Sequence, residues 1–354
     1  MDTINILFVE DAKTDIEAFK DTAKICEKTG LYSIKYVLCK TLDEANRNLD
    51  NHFDGAIIDI KLGSVNAGGN DVIETINKSL FRIPVIIFTA TPGNATDKFP
   101  IIKVFKKGEN TYREALDIFH NMYIIGLTKI MGGRGKFEEI IYNIFNKKII
   151  KQIPEWLKYG KEDSSRTEKA LLRYTINHLL QFLDDEDGDK YFPEELYIEP
   201  LKDKIRTGSI LENDGKFYVV MTPACDLVIR KNGKCKTDKI LLAEIDDTVA
   251  ICKSEISGIT DPGKKEKKLK EIFQNNFKLY LHWLSSVELF KGGFINFRKV
   301  IAVNECEILK NYKSNEILIS PSFMKDVISR FSNYYARQGQ PDIDQSGIIK
   351  TFLD

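Results

Sequence analysis

Four short apolar runs near the start of the chain each end in polar or charged residues, with segments of helical periodicity between them. Ile4–Val9 (INILFV) runs into Glu10-Asp11, and Gly55–Ile60 (GAIIDI) carries Asp59 near its end. Ile83–Phe88 (IPVIIF) stops at Thr89-Ala90, and Ile101–Phe105 stops at Lys106-Lys107-Gly108. Short runs rich in β-branched and aromatic residues read as strands buried on both faces. Ser33–Leu38 (SIKYVL) reads as a fifth strand. Between the strands, residues 14–28 place Ile16, Phe19, Ala23 and Ile25 on one helical face before Gly30 stops the helix. Thr41 caps a helix to about Leu49, with Asp43 and Glu44 in its first turn. Asp71–Leu80 and a long segment from Thr111 complete the set.

Strands alternating with helices predict an α/β fold, a doubly wound parallel sheet of five strands. Such sheets bind ligands at the carboxyl ends of their strands. Here those ends carry Glu10, Asp11, Asp59, Thr89 and Lys106. Three carboxylates held close repel one another and favour a hard divalent cation with oxygen ligands, such as Mg²⁺. That cation would neutralise an incoming phosphoryl group. Asp59 has the chemistry to take the group as an acyl phosphate, Thr89 to donate to one phosphoryl oxygen and Lys106 to pair with another.

On FVEDA (Glu10, Asp11), IIDIKLG (Asp59), IIFTA (Thr89) and VFKKG (Lys106), the first 125 or so residues resemble the receiver domain of two-component response regulators, a flavodoxin-like fold. The resemblance implies a phosphoacceptor at Asp59, a metal site at Glu10, Asp11 and Asp59, a switch hydroxyl at Thr89 and a phosphoryl contact at Lys106. It implies Mg²⁺ as cofactor and a sensor histidine kinase or phosphotransfer protein as phosphodonor. Any catalysis would be limited to autophosphatase activity.

The chain departs from the family in three places. Lys107 stands where the family has a proline in cis linkage, so a trans bond is expected. Lys103 stands three positions before Lys106, where an aromatic switch residue is common. TPGNATDKFP, with Pro92 and Pro100, reads poorly as the fourth helix. A homodimer is compatible with the sequence, but these departures weaken the expectation of the helix-four to strand-five mode common in the family.

MGGRG (131–135) breaks the helix that follows Thr111. Residues 136–159 read as a connector helix with Phe137, Ile140, Ile141, Ile144 and Phe145 on its apolar face and a break at Pro154. Ser165–Leu183 reads as a second helix, with Leu171, Leu172, Ile176, Leu179, Leu180 and Leu183 apolar. The tract DDEDGD (184–189) reads as a solvated loop without the ligand register of a calcium site. The expected division is a receiver over 1–128, a helical connector over 129–190 and an α+β output domain over 191–354.

In that last part Phe217–Thr222, Lys239–Glu244 and Arg298–Val303 read as strands, ENDGK (212–216) as a hairpin turn and Phe323–Tyr335 as a closing helix. Cys225-Asp226 in TPACD is a candidate nucleophile pair for a receiver-gated enzyme. The one histidine of this domain is His282, in YLHWL, so a turn-forming role for the pair is the simpler reading. Arg206-Thr-Gly208 and Arg337–Pro341 (RQGQP) read as turn or partner-contact segments. KKEKKLKE (264–271) mixes acids with its lysines and has no interleaved aromatics, so it reads as a solvated helix rather than a nucleic-acid patch. A receiver joined through helices to a TPACDL-type strand is also similar to receiver proteins of bacterial conflict and anti-phage signalling systems.

Composition narrows the classes further. The chain has 52 basic and 52 acidic residues, with no basic excess in either half, which argues against a DNA-binding module. It has no apolar run of membrane-spanning length and no secretory start, so a cytoplasmic protein with no membrane partner is expected. Its six cysteines lack C-x-x-C spacing and read as reduced thiols. The expected function is phosphoryl acceptance followed by signalling to a downstream protein, or buffering in a phosphorelay.

Overall fold

The computed structural model describes residues 2–63, 68–161, 163–185, 190–202, 204–230, 235–336 and 343–353. They form two compact units, 1–187 and 188–354.

In the first unit, β1 (Thr3–Val9), β2 (Ser33–Cys39), β3 (Gly55–Ile58), β4 (Val85–Thr89) and β5 (Lys103–Lys106) form one sheet of order β2-β1-β3-β4-β5, parallel throughout. Helices α1 (Lys13–Lys28), α2 (Leu42–Asn48), α3 (Gly68–Lys78) and α4 (Tyr112–Ile124) connect and cover it. Strand alternation divides the core. Ile4, Ile6, Phe8, Ile57, Ile86, Phe88 and Phe105 face α1 and α4, where Phe19, Leu116 and Phe119 meet them. Leu7, Val9, Ile58, Val85 and Ile87 face α3, with its Val72, Ile73 and Ile76. The Thr41 hydroxyl caps α2, and Thr111 with Glu114 forms a capping box on α4. The direction in which successive strands are added to the sheet reverses between β1 and β3, and ligands of such sheets bind at that crevice.

Between β4 and β5 only Pro92–Asn94 forms a single helical turn, as the two prolines lead one to expect. The peptide bond after Lys106 is trans, since no cis bond occurs among the described residues.

The connector belongs to the first unit. Helix α5 (Leu127–Met131) and helix α6 (Lys136–Ile144) flank the glycine-rich break. One π-helical turn (145–149) and a tight turn lead into α7 (Ile153–Gly160), with Pro154 in its first turn. Helix α8 (Ser164–Asp185) then packs back along α6 and α7. The break docks on the strand-start edge of the sheet. Arg134 pairs with the buried Asp54 and donates to the Thr3 carbonyl at 2.9 Å, while Arg82 pairs with Glu138. A Cβ added to Gly133 would lie 1.9 Å from the Asn51 carbonyl oxygen, so glycine alone permits this approach.

The second unit is an antiparallel sheet of order β10-β11-β9-β8-β7-β12-β6. In chain order these are β6 (Tyr197–Ile198), β7 (Ser209–Asn213), β8 (Lys216–Val220), β9 (Lys239–Asp246), β10 (Leu281–Leu284), β11 (Gly293–Asn304) and β12 (Lys313–Ile319). Helices α9 (Thr248–Ile256), α10 (Pro262–Phe273), α11 (Glu305–Asn311), α12 (Pro321–Tyr335) and α13 (Ser346–Leu353) complete it. Asp214 and Gly215, both with positive φ, turn β7 into β8, which is the expected hairpin. Helix α10 carries the lysine-rich run with internal pairs Lys268–Glu271 and Lys270–Glu266. Most of DDEDGD and all of RQGQP lie outside the described residues. No helix among the described residues is long and apolar enough to cross a membrane.

Candidate phosphoacceptor and metal site

Glu10 and Asp11 follow β1 directly, and Asp59 follows β3, so the topology brings all three to the β1–β3 crevice. Their carboxylate oxygens lie within 4.8 Å of one another. Glu10 and Asp59 are buried, whereas Asp11 is exposed. Each is held by a backbone amide. Ala12 N–H donates to Glu10 Oε1 at 3.0 Å, Gly63 N–H to Asp11 Oδ2 at 2.8 Å and Lys61 N–H to Asp59 Oδ1 at 3.3 Å. Burial pushes the Glu10 carboxyl up to about 7, although Lys107 beside it works in the opposite direction.

The ammonium in the crevice is that of Lys107, not Lys106. Lys107 Nζ lies 2.6 Å from Glu10 Oε2, 2.7 Å from Asp59 Oδ2 and 3.4 Å from Asp15 Oδ2. Burial disfavours the charged ammonium, but hydrogen bonds to Asp59 and Glu10 outweigh it and raise the Lys107 pKa above the usual lysine value. Lys106 points the other way and pairs with Glu109 at 2.5 Å, half exposed.

Strand parity explains the correction. Phe105 is on the α1/α4 face with Phe8 and Ile57. Two residues further along each strand stand Lys107, Glu10 and Asp59, which share that face and meet. Lys106 pairs with Thr89 in register and has the opposite parity. The correction moves two other positions. Three residues before Lys107 is Val104, not Lys103, and it is partly exposed with no aromatic ring. The residue after Lys107 is Gly108, at φ +85°.

Thr89 is fully buried at the end of β4. Its hydroxyl accepts from Thr91 N–H at 3.3 Å, and its carbonyl accepts from Lys107 N–H at 3.0 Å. That second bond ties the lysine loop to the threonine. Beneath them Tyr112 stacks on Phe88 with centroids 4.2 Å apart. Gly69, at the start of α3, lies so close to β3 that a Cβ there would stand 2.1 Å from the Asp59 carbonyl oxygen.

Three carboxylates that converge, two of them buried, suit a hard divalent ion with oxygen ligands. Mg²⁺ fits that donor set, with Glu10, Asp11 and Asp59 as the residues that would hold it.

Cys225 and His282 are not brought together. Strands β11 and β9 lie between β10, which carries His282, and β8, which precedes Cys225. At about 4.8 Å per strand step, β10 and β8 are roughly 14 Å apart. Asp226 pairs with Lys236 at 2.9 Å, and its carbonyl accepts from Lys236 and Thr237 N–H. Thr222 is buried and its hydroxyl accepts from Leu241 N–H at 2.7 Å. TPACD is thus a hydrogen-bonded turn, in which the Cys225 thiol donates to Asp226 Oδ1 at 3.7 Å while the same carboxylate oxygen is paired with Lys236. Arg206-Thr-Gly208 also forms a turn, with the Thr207 hydroxyl on the Thr222 carbonyl at 2.6 Å.

No family model and no curated protein matches the chain. Solved structures that it resembles include receiver domains. The non-phosphorylated HemR receiver domain from Leptospira biflexa is 26% identical and covers 34% of this chain and 94% of its own, at TM-score 0.27. The receiver domain of a LuxO repressor protein from Vibrio parahaemolyticus is 22% identical over 36% of this chain and 98% of its own, at TM-score 0.28. The Mn²⁺-bound response regulator Rcp1 is 16% identical over 36% of this chain and 96% of its own, at TM-score 0.25. The N-terminal five-stranded parallel sheet, of order β2-β1-β3-β4-β5 with its helices, has the flavodoxin-like fold, and the second unit is a separate domain of helices and sheet.

Proposed function

We propose that the chain is a response regulator that accepts a phosphoryl group on Asp59 from a histidine kinase or a phosphotransfer protein. The observation that supports this most directly is the convergence of Glu10, Asp11 and Asp59 within 4.8 Å, with Lys107 Nζ on Asp59. An Asp59 carboxylate oxygen attacks the phosphorus of a phosphoimidazole. The P–N bond breaks, the donor nitrogen keeps the electron pair, and an acyl phosphate forms. Mg²⁺ held by Glu10, Asp11 and Asp59 offsets phosphoryl charge when bound. Lys107 moves its hydrogen bond from the Asp59 carboxylate to a phosphoryl oxygen, and the Thr89 hydroxyl donates to another.

The acyl phosphate carries about −1.5 to −2 where the Asp59 carboxylate carried −1, so the crevice gains roughly one further negative charge or less. The Thr89–Lys107 backbone bond carries the rearrangement from β4 to the β5 loop. Output passes to a protein partner through the connector or the second unit.

Intact-mass spectrometry tests this reading with Mg²⁺ and acetyl phosphate, comparing the native chain with Asp59→Asn. A single phosphoryl mass in the native chain alone is expected. An equal gain in Asp59→Asn, or none in the native chain with acetyl phosphate and with histidine-kinase donors, overturns it.

A further inference from the structure

Lys107 stands where a metal ion has to come. Its Nζ bridges Glu10 Oε2 and Asp59 Oδ2 at 2.6 and 2.7 Å, and both carboxylates belong to the converging set of three. An ammonium and a divalent cation on the same two carboxylates repel each other strongly. The lysine therefore has to give ground when the ion binds. Its ammonium is only slightly exposed, so it needs acceptors elsewhere in the crevice.

Two side chains beside it offer them. Asp15, in the first turn of α1, is 3.4 Å from Nζ, the longest of the three approaches, and lies outside the converging set. Tyr112, in the first turn of α4, is 5% exposed. Its ring is fixed, stacked on Phe88 and meeting Phe8 and Phe19 edge-on at 5.5 and 5.7 Å. Its hydroxyl makes no hydrogen bond. Burial above all, and then the charges of Glu10, Asp15 and Asp59, keep the phenol neutral. A phenylalanine would fill the same core position without leaving a buried polar atom orphaned. The Tyr112 oxygen is thus an acceptor held ready at the side of the crevice. The four-carbon stem of lysine is flexible enough to bring the ammonium to it.

On the basis of the metal site proposed above, we infer that Asp15 and the Tyr112 hydroxyl form a second seat for the Lys107 ammonium, taken up when a divalent cation occupies Glu10, Asp11 and Asp59. In the ion-free chain Asp15 shares Lys107 with two closer carboxylates. With the ion bound, Asp15 is the one carboxylate of those three left for the lysine, and the Tyr112 oxygen accepts a second N–H. The ammonium stays paired inside the crevice, ready for a phosphoryl oxygen.

Binding of Mn²⁺ to the full chain, read from the paramagnetic resonance of the free ion, tests this without any phosphoryl transfer. Asp11→Asn, which lacks one ligand, gives the background from other sites. Tyr112→Phe changes no charge and is expected to weaken Mn²⁺ binding about tenfold, the worth of one hydrogen bond to a charged group. In a Lys107→Ala background the same substitution is expected to change nothing. Asp15→Asn is expected to weaken binding more in the native chain than in the Lys107→Ala background, where only its long-range charge counts. Without divalent ions Tyr112→Phe is expected to melt no lower than the native chain, since the lost hydroxyl had no partner. Equal Mn²⁺ binding by Tyr112→Phe and the native chain, an effect of either substitution that is as large without Lys107, or a lowered melting point overturns the inference and leaves the metal site standing. No binding above background by the native chain overturns the metal site and this inference together.

Discussion

Lys107 Nζ sits 2.7 Å from Asp59 Oδ2 and 2.6 Å from Glu10 Oε2, so one ammonium is shared by the two buried carboxylates of the crevice. The same two carboxylates are the ones a divalent cation would use. Lysine and metal therefore compete for charge at this place, while both favour a phosphoryl group. Lys107→Ala is expected to bind Mg²⁺ more tightly, by about tenfold or 1.4 kcal/mol, and yet to form the acyl phosphate more slowly. Lys106→Ala is expected to match the native chain in both. Mg²⁺ titration and time-resolved intact mass separate the two variants, and equal behaviour of both would remove Lys107 from the site.

Gly69 tests how tightly the acceptor backbone is held. The atoms that a Cβ would strike are backbone, the Asp59 carbonyl oxygen at 2.1 Å and Ile60 Cα at 2.8 Å. Such overpacking costs about 1–3 kcal/mol. Gly69→Ala is expected to lower the thermal midpoint of the first unit by several degrees and to slow Asp59 phosphorylation. Gly93→Ala, where a Cβ meets nothing, is the control and is expected to change neither.

Asp54 is buried at the strand-start edge of β3 and accepts from Asn5 N–H at 2.8 Å as well as from Arg134. Removing Arg134 leaves that carboxylate without its cation. A fully buried pair broken in this way costs about 3–5 kcal/mol, and partial exposure of Arg134 reduces this to roughly 2 kcal/mol. Arg134→Ala is expected to destabilise the first unit by that amount in denaturant titration. Hydrogen exchange is expected to rise around residues 132–138. Adding Asp54→Asn is expected to restore part of the loss.

His282 gives the second unit a pH dependence. The ring is buried on β10, and burial, with the Arg330 charge adding to it, pushes the imidazole down to about 3. Its Nδ1 has no hydrogen-bond partner, and the nearest carboxylate, on the solvent-exposed Asp326, is 3.8 Å away. Between the ordinary histidine value near 6.5 and about 3, the unfolded chain binds the extra proton and the folded one does not. Stability is therefore complete above about pH 6.5 and falls as pH drops, by up to roughly 1.4 kcal/mol per unit. In a Trp156→Phe background the remaining tryptophan, Trp283, adjoins His282 and reports unfolding. The midpoint is expected to fall from pH 7 to 5 in that chain and to stay nearly level when His282→Gln is added.

The N-terminal fold was legible because its strands are short apolar runs ending in charge, a pattern that survives without any long-range information. Glu10, Asp11, Asp59 and Thr89 could be placed at strand ends for the same reason. The lysine could not be placed by motif, since VFKKG offers two adjacent ammonium groups. Parity offered a way to choose, because Phe8, Ile57 and Phe105 each precede a site residue by two positions. The second unit was harder to read. Strand β10 is four residues long and includes a histidine and a tryptophan, and β6 has two residues, so neither shows a period. Strand β11 slips register against β9 between Ile295 and Val300, which hides its alternation. The fit of Gly133 against Asn51 depends on residues far apart in sequence, and no local pattern announces it.

Strand β3 is pinned at both ends. At its start the Asp54 carboxylate is gripped by Arg134 of the connector, and just past its end the Asp59 carboxylate is gripped by Lys107. Five residues in extended form make this a tie-rod of about 17 Å, anchored to the helical arm at one end and to the acceptor chemistry at the other. The arm that leads out of this unit is thus bolted to the sheet on the side away from the crevice, where an incoming phosphodonor would not have to push it aside.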